Sequence, residues 1–263
     1  MKIYAGFLVI ICVMMYGVMI LTPATQGQKN QADDATVVQR GRVTDKERAY
    51  SREYKKLYTE RVGNRLREFG NAAKANGPKD EINFALREGT IPTLQSEIDQ
   101  SLSELLRSLS CETDAIVVGK PTSGTAHMLD DESFVYTEYD FFVETVLKNN
   151  AHVPFESGGN IAVTRPGGFV RLDGQLVRVG DERFTWLEKT QRYLIFLKYV
   201  PEAGGYAATV AKGDFALEGH SFRKLWRQAA PKELESIPDS KSLIALIQRA
   251  VSEGCLDSMK GGI

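Results

Sequence analysis

The hydrophobic period of this chain changes from helical to strand-like at Asp114, and nothing else in it narrows the possible folds as much. Before that point apolar residues recur at helical spacing; after it they alternate or run in short β-branched blocks. Strands that follow one another without a helix-length pattern between them do not make βαβ units. The expected class is therefore α+β: a small antiparallel β-barrel with a helical segment before it and a helix after it.

Thr44-Asp45-Lys46-Glu47 is a capping box, in which the threonine and the glutamate satisfy the first amides of a helix. Behind it Tyr50, Tyr54, Leu57, Tyr58, Val62, Leu66 and Phe69 recur at helical spacing, and Gly63-Asn64 interrupts the run at about 1 kcal/mol. A short helix is expected after Pro78, stopping at Gly89. A third, capped by Thr93, carries Leu94, Ile98, Leu102, Leu105, Leu106 and Leu109 on one face. Residues 40–74 hold eleven basic and five acidic side chains, a net of +6, and residues 76–114 hold three basic and eight acidic, a net of −5. With an apolar stripe in each block, the simplest reading pairs these helices with each other.

The strands come next. Residues 115–120 are a β-branched run. Over residues 134–147, Val135, Tyr139, Phe141, Val143 and Leu147 fall on one face and Glu138, Asp140 and Glu144 on the other. Residues 160–164 lead into Pro166-Gly167-Gly168. Asp173-Gly174 is a strong two-residue hairpin signal and sets Val170 opposite Val177. Residues 193–199 are apolar on both faces, as in a central, covered strand. Gly204-Gly205 turns the chain into residues 206–210, and residues 214–217 add a last short strand. After His220 a helix returns, with Leu243, Ile244, Leu246, Ile247 and Val251 as its stripe, Asp239 or Ser240 as its cap and Gly254 at its end. The helical segment thus spans 44–110, the β-domain 111–220 and the C-terminal helical segment 221–263.

The beginning of the chain supplies an address. Residues 3–21 are almost unbroken apolar, preceded by Lys2 and followed by the small and polar Thr22, Ala24, Thr25 and Gly27, the layout of a secretory signal. The run falls between the ~7–15 residues of a signal core and the ~20 of a spanning helix. Residues 1–27 therefore read as a signal peptide, cut after Ala24 or Gly27, or as an N-terminal anchor. Residues 28–43, polar and without period, read as a tether. Either way the remainder is extracytoplasmic: periplasmic, secreted or membrane-anchored. With Cys12 in the leader, Cys111 and Cys255 remain where disulfides persist. Each follows the end of an apolar-striped helix, and a bond between them is expected.

Three segments carry a resemblance: Ala115-Ile116-Val117-Val118-Gly119-Lys120, Tyr136-Thr137-Glu138-Tyr139-Asp140-Phe141-Phe142-Val143 running to Val146-Leu147-Lys148, and Pro166-Gly167-Gly168 before Tyr193-Leu194-Ile195-Phe196-Leu197. Their order resembles an uncharacterised group of exported bacterial β-barrel proteins and, remotely, the netrin-like, OB-type barrels that include tissue inhibitors of metalloproteases. The resemblance implies an OB-like barrel. Those inhibitors reach a metal through a cysteine at the mature N-terminus, whereas Cys111 lies well inside this chain.

Chemistry is sparse. The chain has 33 Lys and Arg against 34 Asp and Glu, so no global field favours nucleic acid or an anionic membrane. A membrane is expected only through an uncleaved N-terminal segment. His127, His152 and His220 have no neighbour at metal-ligand spacing. Asp130-Asp131-Glu132 lacks the spacing of a calcium loop. Glu138 and Asp140, two residues apart on one face, read as a polar outer surface. The densest functional signal is the Pro-Gly-Gly turn, with Arg165 and Arg171 on its flanks and Arg178 across the hairpin. Clustered guanidinium groups beside glycine amides suit an anionic group. Arg165, Gly167, Gly168, Arg171 and Arg178 are thus the candidate binding residues, with no catalytic residue, metal or cofactor expected. The resulting expectation is a non-catalytic binding or structural module of the cell envelope, whose partner is an envelope or extracellular protein. The alternatives are an inhibitor of extracellular proteases and a hydrolase.

Overall fold

The computed structural model describes residues 36–37, 44–55, 82–85, 101–128, 135–172, 175–180, 184–208, 213–226 and 230–255. Its helices are α1 (Asp45–Lys55), α2 (Leu102–Glu112) and α3 (Ser240–Glu253). Its strands are β1 (Thr36–Val37), β2 (Ile82–Ala85), β3 (Ala115–Met128), β4 (Val135–Lys148), β5 (Asn160–Pro166), β6 (Gly168–Leu172), β7 (Gln175–Gly180), β8 (Arg192–Val200), β9 (Gly205–Ala207), β10 (Phe215–Glu218) and β11 (Ser221–Lys224). The class is α+β, as expected.

Seven strands form one mostly antiparallel sheet in the order β11-β10-β8-β3-β4-β5-β9. The sheet curls back on itself. β9 runs parallel to β5, with Val163 beside Tyr206, and antiparallel to β8, with Tyr199 beside Tyr206. Strands β8, β3, β4, β5 and β9 therefore close a ring, which leaves none of them with an unpaired edge along the closure. β3 pairs with β4 on one edge and β8 on the other, and its ladder with β4 shifts register at Ile116/Val117, Val118/Gly119 and Pro121/Ser123, bulges of a kind that bend a strand. The last shift also accommodates Pro121, which has no amide to donate. Gly119 sits where the strands approach closely, since a Cβ there would run into the Phe142 carbonyl oxygen.

Alternation along these strands sorts the core into layers. Ala115, Val117, Tyr139, Phe141, Val143, Val163, Tyr193, Ile195, Leu197 and Tyr206 pack together inside the ring. On one outer side, Ile116, Val118, Leu194 and Phe196 meet Leu102, Leu105, Leu106 and Leu109 of α2 and Leu243, Ile247 and Ala250 of α3. On another, Tyr136, Val200 and Ala207 meet Ala49, Tyr50 and Tyr54 of α1. A second sheet, β1-β6-β7-β2, sends Val170, Val177 and Val179 into this last cluster. The β6–β7 hairpin has the expected register, Val170 opposite Val177 and Leu172 opposite Gln175.

Several local expectations are met and others corrected. Thr44 and Glu47 form the capping box, with the Thr44 amide 2.7 Å from Oε2 and the Glu47 amide 3.2 Å from Oγ1. Asp239 caps α3, and Gly254, at φ +71°, ends it. α2 is capped by Ser101, in a capping box with Glu104. Residues 82–85 are not helical. They add as a parallel strand to β7, where ladder pairing outweighs local propensity. Over their described residues, the oppositely charged helices do not share a core. α1 and α2 belong to different clusters, and Lys46 of α1 reaches Glu138 of the sheet at 2.7 Å. Cys111 and Cys255 are bonded, with sulfurs 2.17 Å and Cα atoms 5.5 Å apart. Among the described residues no helix is long and apolar enough to cross a membrane. The leader, the tether except Thr36 and Val37, the stripe from Leu57 to Phe69, Gly63-Asn64, Thr93, Asp130-Asp131-Glu132 and Asp173-Gly174 lie outside the described residues.

Candidate functional site

The Pro-Gly-Gly corner joins β5 to β6. Gly167 has φ +87° and Gly168 φ +153°, a region that disfavours side chains, and a Cβ on Gly167 would lie 2.6 Å from the Val179 carbonyl oxygen. The corner is tied down on both sides. The Gly167 amide donates to the Val135 carbonyl at 2.8 Å, and the Thr137 hydroxyl donates to the Gly167 carbonyl at 2.8 Å. The Gly167 amide is thus already engaged within the protein.

The three arginines do not converge. Arg165 shares the parity of Ile161 and Val163 along β5, so its side chain enters the ring, where it is 1% exposed. There its Nη1 pairs with Oδ2 of Asp214, and its guanidinium lies 5.6 Å from the centre of the Phe184 ring. Among the described residues its Nε and Nη2 have no hydrogen-bond partner. Asp214 is held in turn by the Phe196 amide at 3.0 Å. Burial raises its pKa, against the opposing pull of Arg165. Burial also raises the phenol of Tyr139 and pushes Tyr193 up to about 12, so both stay neutral inside the ring. The guanidinium, the carboxylate and two phenols make this a polar centre in an otherwise apolar interior, and pairing limits its cost.

Arg171 and Arg178 occupy the other face of the hairpin. Arg171 stands opposite Leu176 and Arg178 opposite Phe169, which places the two arginines as diagonal neighbours, typically about 7–8 Å apart. Arg178 lies 4.2 Å from the Trp186 ring centre and 5.6 Å from that of Phe169. Phe169 and Trp186 lie 4.9 Å apart. Phe169 is buried and Arg178 and Trp186 are half-buried, so the guanidinium is already stacked within the protein. Trp186 carries no local motif, which is why its part was not legible in the sequence.

A second aromatic cluster is buried under α1, where the stripe residues Tyr50 and Tyr54 meet the sheet. Tyr54 donates to Oγ1 of Thr164 at 2.7 Å, and Tyr136 packs between Tyr50, at 5.7 Å, and a stacked His127, at 5.1 Å. Glu47 lies 3.6 Å from Nδ1 of His127, and Arg52 3.7 Å from Glu202. The Tyr50 hydroxyl is buried with no hydrogen-bond partner among the described residues, and burial raises the pKa of Tyr50 and Tyr136 strongly. Glu138 and Asp140 have separate partners: Glu138 holds Lys46, and Asp140 accepts from Thr122 and from Asn160. His152 and His220 are exposed. Among the described residues no group of His, Cys, Asp and Glu is arranged to hold a metal. The sequence matches no protein-family profile and no curated protein.

Proposed function

We propose that this chain is an exported, non-catalytic binding module of the cell envelope, built on an OB-type barrel. The observation that carries this reading is the strand order of the ring. Its first strand, β3, pairs with both β4 and β8, and its third, β5, runs parallel to its last, β9. That is the order expected of an OB-type barrel, an architecture that binds ligands on its strand faces and loops. The bond between Cys111 and Cys255, both exposed, supports an oxidising compartment, as does the leader. The half-buried edge of Arg171, Arg178 and Trp186 is the part of the hairpin from which contact with an envelope or extracellular partner would be made.

The test is a fusion of alkaline phosphatase, which is active only outside the cytoplasm, after Ile263 of the full chain in a bacterial host. An active fusion, together with joined Cys111 and Cys255 peptides in non-reducing mass spectrometry, is expected. An inactive fusion with both thiols freely alkylated would overturn the exported reading.

A further inference from the structure

The centre of the ring holds a cation with donors to spare. Arg165 is 1% exposed, and Asp214 engages its Nη1 alone. Its Nε and Nη2 are buried and have no hydrogen-bond partner among the described residues. Together they form the side-on edge of the guanidinium, where two N–H bonds point the same way and match two oxygens carried on one atom. Buried donors are nearly always paired, because an unpaired one loses its hydration and gains no bond in return.

The neighbouring polar groups leave this edge open. The Tyr139 oxygen accepts from the Leu187 amide at 3.3 Å, and the Tyr193 oxygen from the Glu188 amide at 2.7 Å. The charge of Arg165 bears on both phenols, pulling their pKa down against the larger effect of burial, so the three groups share one neighbourhood. Phe184 lies 5.6 Å from the guanidinium and, like Leu187, is buried, so the segment carrying them walls this centre.

We propose that the interior of the ring is a binding site for a small oxyanion, a carboxylate or a phosphate, held two-pronged on the Nε–Nη2 edge of Arg165. The site lies apart from the hairpin edge and goes beyond the binding-module reading. Asp214 sets the charge balance. With Arg165 it is neutral, so a bound anion is compensated when Asp214 takes up a proton, which its burial favours. The other titratable groups that feel the guanidinium are Tyr139 of β4, Tyr193 of β8 and Tyr54 of α1, all of them neutral phenols. Affinity should therefore rise as pH falls.

The test uses the isotope-labelled full chain, unfolded and refolded with its disulfide intact in formate, inorganic phosphate or chloride at equal ionic strength. Refolding in the salt removes any barrier to entry. The Arg165 Nε–H resonance, identified by its loss in Arg165→Lys, should shift saturably with formate or with phosphate and stay in place in chloride. Whichever of the two acts distinguishes a carboxylate source from a phosphate source. The same salt should raise the Tm of the wild type and leave unmoved that of Arg165→Lys, which keeps a cation beside Asp214 but lacks the edge. Formate should bind at least about threefold more tightly near pH 5.5 than near pH 8. One resonance position in all three salts would overturn the site and leave water on the edge. An equal shift in chloride would overturn the oxyanion class, and equal affinity at the two pH values the part given to Asp214. If Arg165→Lys does not fold, the resonance is identified by its proximity to the Phe184 ring, and the wild-type titration still decides. None of these outcomes bears on export.

Discussion

The two helix-covered sides of the ring are held by different chemistry. Under α2 and α3 the contact is aliphatic and aromatic, from Leu106 and Leu243 to Phe196 and Phe215, and a disulfide clamps the far ends of both helices. Lys148 adds a polar tie, donating to the carbonyls of Ser110 and Thr113 where α2 ends. Under α1 the contact is a buried cluster of Ala49, Tyr50 and Tyr54 with Tyr136, Val200 and Ala207, bordered by half-exposed ion pairs. Burial of apolar area contributes roughly 25 cal/mol per Å², whereas half-exposed ion pairs contribute about 0–1 kcal/mol each. Both sides are apolar at their centre, and only the first is also clamped by a disulfide.

Breaking the clamp tests the strong side most severely. Replacing Cys111 and Cys255 by Ser opens a loop of 144 residues, with an expected loss of up to about 5 kcal/mol in urea unfolding. A loss confined to α1 exchange, with the global midpoint unmoved, would invert the comparison. Next, Leu106→Ala should lower global stability by about 2–5 kcal/mol, since its side chain is buried between helix and sheet. The same experiment with Tyr54→Ala should mainly speed α1 exchange. Equal shifts of the global midpoint would mean that the two sides are equally locked.

Smaller effects sharpen the picture within α1. Tyr54→Phe removes the bond to Thr164 and should cost about 1 kcal/mol, while Tyr50→Phe deletes an unbonded hydroxyl and should cost nothing or stabilise. Thermal melts of the two variants check this pair; a larger loss for Tyr50→Phe would place a partner on its hydroxyl. Smallest is the acid response. Hydrogen bonds from Ser101 and from the Ser242 amide lower the pKa of Glu104 and Asp239. Their stabilising contribution is present above the ordinary carboxylate range, near pH 4, and is lost as pH falls through the depressed values. The ends of α2 and α3 should therefore fray first on acidification. Amide shifts of Glu104 and Ser242 that stay constant down to pH 2 would contradict this.

Much of the fold was legible because local patterns encode it. The alternation of β4, the apolar β8, the Val170–Val177 register, the caps at Thr44 and Asp239 and the stop at Gly254 depend on residues near one another in the chain. Even Arg165 carried a signal, since it shares a strand face with Ile161 and Val163, but its place beside a glycine corner favoured a surface reading. Residues 82–85 misled for the opposite reason, because their strand exists only through pairing with β7.

The sequence by itself determined the order of elements from α2 to β10, the β6–β7 register and the pairing of the last two cysteines. Only the tertiary structure decided that β5 and β9 would meet, that Arg165 would find Asp214 inside the ring, and that α1 would cover one side of the ring and α2 another. The reason is physical: periodicity states which face of an element must be buried, whereas the element that buries it is chosen by contacts between residues far apart in sequence, such as Tyr54 and Thr164, whose complementarity appears only once the ring has closed.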